Sequence, residues 1–279
     1  MKNILKLTLI VLQLFLVSCA NKDKKIITLD NTNLESQMIE AYKLGMEALE
    51  DGDVLFAAKN FNIAENLYPQ SPWARKSAIM AAYAYYKQDY YGDAIYELSR
   101  FIKTYPNSEY IQYAHYLMAL CYYETIVDEK KDLNPLLNSK KTFEYIVKNY
   151  PETDFSLDAK YKIMLINNIL ASKELHIAKY YLNKGKWIPA INRFKTILNE
   201  YGETIYIEEA IHRLVEVYYK IGFEDESKKY AKLLGYNYLS SKWYEESYKI
   251  FNKKYLNSRE KIKKDKKNII IRNFQKLFE

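Results

Sequence analysis

From residue 35 to residue 255, apolar side chains recur every three to four positions, interrupted by short polar breaks. That period gathers them on one face of an α-helix. In residues 40 to 69, EAYKLGMEALEDGDVLFAAKNFNIAENLYP, the pattern breaks at EDGD (50 to 53) and stops at Pro69. It predicts two helices folded into a hairpin. Pro69 ends the second, because it lacks an N–H and its ring clashes with the preceding turn. Ser71 can cap the next helix, with Pro72 suited to its first turn. The same punctuation returns as YPQSPW (68 to 73), YPNSEY (105 to 110), YPETDF (150 to 155) and YGETIY (201 to 206), at spacings of 37, 45 and 51 residues. Ser108 and Thr204 stand at the corresponding cap positions. Only 7 Gly and 6 Pro occur in 279 residues, so the elements between these breaks are long.

Helix pairs at a period near 34 residues point to tetratricopeptide repeats. Leu44, Gly45, Ala57, Phe61, Ala64 and Pro69 fall on the motif in the first copy, and Ala78, Ala82, Tyr85, Ala94, Leu98, Phe101 and Pro106 in the second. The third has Ala114, Leu117, Met118, Cys121, Phe143, Ile146 and Pro151. The fourth has Ala178, Tyr181, Ala190, Phe194 and Ile197, and the fifth Leu214, Val215, Tyr218, Ser227, Ala231 and Leu234. Small residues let two backbones approach, and large ones fill the gaps between pairs. No single pair can bury its stripe alone, so neighbours must stack. The expected fold is all-α: an α-solenoid of about five tetratricopeptide-like helix pairs, in two halves joined by a long helix. Residues 156 to 184 contain no Pro or Gly and read as that helix. VDEKKDLNPLLNS (127 to 139) reads as a surface loop, and 241 to 255 as a capping helix.

The first 18 residues are of another kind. Lys2 and Lys6 precede an apolar run from 7 to 17, too short to span a bilayer, which ends in LVSC with Cys19. This arrangement resembles the lipobox of bacterial lipoproteins. The resemblance implies cleavage before Cys19 and covalent N-acyl and S-diacylglycerol lipid on that residue, with no other cofactor. Ala20, in place of Asp, resembles sorting to the outer membrane, on its periplasmic face. The organisation expected is a signal peptide (1–18), a tether from Cys19 (19–34), repeats 1–3 (35–155), the long helix with repeats 4–5 and the capping helix (156–255), and a basic tail (256–279). Cys121, in apolar MALCYY, is left without a disulfide partner and reads as a core residue.

Taken together, the lipobox, the short tether, five such repeats and the stretches DGDVLFAAKNF, SPWARKSAIMAAYAYYKQDYYGDAI, YAHYLMALCYYE and WIPAINRF resemble the BamD family. These are lipoprotein subunits of the machine that inserts β-barrels into the bacterial outer membrane. The resemblance covers about residues 35 to 255. It implies a scaffold that receives unfolded outer-membrane proteins, docks a BamA-type barrel protein through its C-terminal half, and sits among other assembly lipoproteins. An adaptor for peptidoglycan synthesis or cell division is the other reading.

No enzyme chemistry is expected. His115, His176 and His212 are scattered without acidic partners at metal-ligand spacing, and there is no phosphate loop or nucleophile elbow. The first helix of each pair should face the concave side. Helical spacing then selects Tyr42, Met46, Lys76, Ile79, Tyr83, Tyr86, Lys87, His115, Tyr122 and Tyr123 as a groove of aromatics and cations. Such a surface suits an extended peptide ending in an aromatic and a carboxylate. The family resemblance places Arg193 at the BamA contact, with Trp187 as core wedge or platform. A surface arginine that pairs with Glu200 or with nothing is the bland alternative. Charge adds little within the repeats. Of the net +7, residues 253 to 279 carry ten Lys or Arg and three acids, so the basicity is a tail and not a nucleic-acid face.

Overall fold

A computed structural model describes residues 33–125 and 133–252. The described residues fold into eleven helices: α1 (Leu34–Glu50), α2 (Val54–Leu67), α3 (Pro72–Lys87), α4 (Tyr91–Thr104), α5 (Ile111–Glu124), α6 (Asn134–Asn149), α7 (Asp154–Asn183), α8 (Trp187–Glu200), α9 (Ile207–Lys220), α10 (Glu224–Asn237) and α11 (Lys242–Phe251). The fold is the expected all-helical repeat. The signal peptide, Cys19, most of its tether and the tail lie outside the described residues. No described helix is long and apolar enough to cross a membrane.

The chain forms two compact units that part between Tyr110 and Ile111. The first holds α1 to α4, and the second α5 to α11. The long helix α7, 30 residues or about 45 Å, lies wholly in the second unit. Its Ala159, Ile166 and Leu170 pack in a cluster with Phe143 and Ile146 of α6. Its Ala171, Leu175 and Ala178 pack with Ala190, Phe194 and Ile197 of α8. The start of α7 therefore marks no break in packing.

The second helix of every pair carries one register. Ala57, Phe61 and Ala64; Ala94, Leu98 and Phe101; Ser139, Phe143 and Ile146; Ala190, Phe194 and Ile197 are all fully buried, as are Ser227 and Leu234 in the last pair. Four residues beyond the third position, a tyrosine closes each helix: Tyr68, Tyr105, Tyr150, Tyr201 and Tyr238. The carbonyl of each accepts an N–H three residues on, from Ser71, Ser108, Thr153, Thr204 and Ser241, at 3.0 to 3.3 Å. The turn is thus written five times. The fifth copy, YLSSKW at 238 to 243, has neither Pro nor Gly, which is why the sequence pattern passed over it.

Two local expectations are corrected. Residues 134 to 139 are not loop: Pro135 stands in the first turn of α6, Leu136 is buried, and Ser139 donates to the Ala119 carbonyl at 3.0 Å. Ser227 makes the same bond to Val215 at 2.8 Å, so the hydroxyl belongs to the repeat. Residues 127 to 132 of the expected loop lie outside the described residues. Thr204, in turn, does not cap α9 with its side chain. Its hydroxyl donates backwards to Tyr201 O at 2.7 Å, and Tyr206 stands at the N-cap.

Candidate functional site

In the first unit, Tyr42, Trp73 and Lys76 meet. The Tyr42 ring lies 5.0 Å from Trp73, edge to face, and 5.4 Å from the buried Phe61. Lys76 Nζ sits 4.9 Å from the Trp73 ring centre and 5.3 Å from that of Tyr42, within cation–π range of both. Burial, with Tyr110 nearby, pushes the Tyr42 hydroxyl up from its ordinary pKa. Met46 packs beside Tyr42 against the α2 core. Along α3, Lys76, Tyr83 and Lys87 stand in line at seven and four residues. Ile79 is three residues on from Lys76, about 60° around the helix, and that rotation turns it into the core. At 3% exposure it lines no groove, which corrects its place among the candidates. Tyr86 turns the same way and packs against Tyr91, with ring centres 6.0 Å apart.

The second unit holds the remaining candidates. The His115 ring rests 4.6 Å from Tyr145 of α6 and 6.3 Å from Tyr150, and burial lowers its pKa. Tyr122 is half-buried, and Tyr123 carries Lys162 Nζ 4.8 Å above its ring. Arg193 holds both carboxylate oxygens of Glu174 through Nη1 at 3.0 Å. Its internal partner is therefore on α7 and not Glu200. The pair leaves the arginine side chain 43% exposed. Trp187, six residues earlier on α8, faces a different side, about 120° away. It packs on the core, with Lys220 Nζ 4.6 Å from its ring centre. With Gly185, Arg213 and Glu216 it lines a cleft of about 430 Å³.

Sequence spacing missed one polar cluster. His212, in the middle of α9, is buried. Its Nδ1 lies 2.8 Å from the Ser247 hydroxyl of α11, and its Nε2 lies 3.5 Å from Glu216. The ring also packs 5.1 Å from Trp243. Ser, His and Glu in a row suggest a nucleophile, but Ser247 is fully buried, so the row pins the last helix to α9. His212 and Ser247 are 35 residues apart, and nothing local announces the contact. Among the described residues, no group of three or more His, Cys, Asp or Glu is placed to hold a metal.

A family profile described as "YfiO: Outer membrane lipoprotein" matches residues 34–233, from α1 through most of α10. The chain belongs to this family. Several curated relatives carry the name outer membrane protein assembly factor BamD. That of Caulobacter vibrioides is 37% identical over 235 residues, covering 84% of this chain and 76% of the relative. That of Rickettsia prowazekii is 36% identical over 242 residues, covering 87% and 94%. That of Neisseria meningitidis serogroup A is 29% identical over 224 residues, covering 76% and 82%. The family match takes in Tyr42, Trp73, Lys76 and Arg193, and it stops short of the tail.

Proposed function

We propose that this chain is an assembly factor for outer-membrane proteins, held at the periplasmic face of the outer membrane by lipid on Cys19 and working by binding. The observation that carries the reading is the family match over residues 34–233, joined to relatives at 36–37% identity that are named as assembly factors. The Tyr42–Trp73–Lys76 cluster supports an unfolded barrel protein as the ligand of the first unit. A cation stacked on two rings can turn toward a peptide carboxylate while the rings take its terminal aromatic. The half-exposed Arg193 supports docking of a BamA-type barrel protein on the second unit. Its planar fork has donors left over after Glu174 takes Nη1. Other assembly lipoproteins belong to the same assembly.

The test is to extract membranes in mild detergent, isolate this chain, and identify what accompanies it. A large β-barrel protein with periplasmic repeat domains is the expected companion. Recovery of cell-wall synthases in its place would refute the reading. In the isolated complex, Trp73→Ala combined with Lys76→Glu should weaken binding of a barrel-derived C-terminal peptide roughly tenfold or more, on the scale of a lost aromatic anchor and charge. Unchanged affinity would remove the cluster from the ligand surface.

A further inference from the structure

One face of α7 is apolar and uncovered among the described residues. Leu157, Tyr161 and Met164, at intervals of four and three, are 71%, 56% and 45% exposed. One turn further, Asn168 accepts the Ile205 N–H at 3.2 Å, which sets the exposed Ile205 at the end of the same stripe. Four large apolar side chains left open in line form a contiguous exposed stripe, the kind of surface that docking sites present. Beside the stripe, Ile163, Met164, Asn167 and Tyr201 line a cleft of about 310 Å³, bounded by Lys160, Glu200 and Glu203. The Asn167 Oδ1 atom is buried there and accepts no hydrogen bond. Asp154, one turn before Leu157, is exposed on the same side. The rim thus sets three carboxylates against one lysine, so the missing partner should be apolar and basic.

We propose that the occupant is this chain's own segment 266–278, KKNIIIRNFQKLF. The segment lies outside the described residues; its sequence, charge and reach match the stripe. Ile270, Phe274 and Leu277 repeat the four-and-three interval of the α7 stripe. Lys266, Lys267, Arg272 and Lys276 give four positive charges with no acid among them. An apolar helical face with basic flanks laid on an acidic-rimmed apolar stripe is a standard mode of helix recognition. The length suffices. Phe251, next to the last described residue, packs 5.6 Å from Tyr219 at the C-terminal end of α9. From there α9 runs about 21 Å back to Ile207, beside Ile205. The intervening residues 253 to 265 can extend about 43 Å. The inference stands apart from the assembly reading and would hold whatever the larger partners are.

The experiment uses the full lipidated chain in detergent, with Phe274 replaced by the photocrosslinker benzoylphenylalanine. Irradiation should link it, within one chain, to the peptide that carries Leu157 to Met164. Leu157→Lys with Met164→Lys should lower the yield roughly tenfold, and higher ionic strength should lower it too. Both side chains are open to solvent, so an unchanged helical circular dichroism spectrum confirms that the fold persists. A second arm repeats the irradiation in vesicles containing anionic phospholipid. Crosslinks to lipid or to a second copy, or a yield indifferent to the two substitutions, would overturn the proposal.

Discussion

Arg100 ties α4 to α2 through a buried carboxylate. It donates to both oxygens of Glu65 at 2.7 and 2.6 Å and to Glu97 at 2.9 Å. Tyr105, the tyrosine of the second repeated turn, donates to the same Glu65 at 2.9 Å. Burial, then this bond, pushes the Tyr105 hydroxyl up to about 12. The Glu65 side chain is only 5% exposed, so it depends on the arginine. Arg100→Met should therefore cost about 3–5 kcal/mol, the scale of a stranded buried charge. Denaturant unfolding would show this, and a loss under about 1 kcal/mol would reduce the cluster to the worth of a surface pair. Glu216 gives a second test. Burial works to raise its pKa, but hydrogen bonds from His212 and Arg213, with their charges, outweigh it and hold the carboxyl at about 2. The folded value lies below the unfolded one of about 4.3. The contribution is thus complete above about pH 4.3 and is lost as pH falls toward 2. Glu216→Gln should flatten stability against pH within that window, measured as denaturant midpoints. A wild-type slope in the variant would assign the acid response to other carboxylates. The partners that lie on another helix were not legible. Glu65 and Arg100 are 35 residues apart, Glu174 and Arg193 are 19 apart, and only stacking brings them together.

Helices and turns were far more legible, because their rules are local. Four of the five repeated turns carry Pro or Gly where a helix must stop, and the long helix, expected over 156 to 184, is observed as Asp154–Asn183. Of the helix expected over 241 to 255, Lys242–Phe251 is observed, and residues 253 to 255 lie outside the described residues. The misreading at 134 to 139 has a physical origin. Proline in the first turn of a helix costs nothing, yet in sequence it looks like a breaker. The turns within pairs follow a rule of their own: Gly52, Asp89, Gly185 and Gly222 each take a positive φ between 63° and 84°. Helix approach supplies a sharper test. A Cβ on Gly45 would lie 2.8 Å from two ring carbons of the fully buried Phe61, whereas one on Gly92 would meet nothing within 4 Å. Gly45→Ala should destabilise the protein, since overpacking at about 1–3 kcal/mol exceeds the roughly 1 kcal/mol gained in helix propensity. Gly92→Ala should be neutral or stabilising by up to about 1 kcal/mol. Melting temperatures of the two variants should move in opposite directions. A rise in both would mean that α1 and α2 have room to separate.

At the scale of the whole molecule, charge and the proposed anchor would decide where the proposed binding surfaces act. Removing residues 1 to 18 takes away Lys2 and Lys6 and leaves the chain at +5, of which residues 253 to 279 supply +7 and the remainder about −2. The repeats are therefore close to neutral, and no broad field would hold them at an anionic bilayer. Attraction of the tail to such a surface, or of the repeats to a protein partner, falls as salt screens it. Acyl chains behave otherwise. Each buried CH₂ contributes about 0.8 kcal/mol, one chain anchors marginally, and two or more hold firmly. The two kinds of attachment can thus be separated by one wash. The native chain should stay in the membrane pellet through concentrated salt. A chain exported by a non-lipoprotein signal, with Cys19→Ser, should pellet at low salt only as far as its partners and tail retain it, and should leave in concentrated salt. Release of the native chain by salt alone would mean that Cys19 carries no lipid and that protein contacts hold the molecule in place. Retention of the Cys19→Ser chain would mean that its docked partner, itself in the bilayer, is attachment enough.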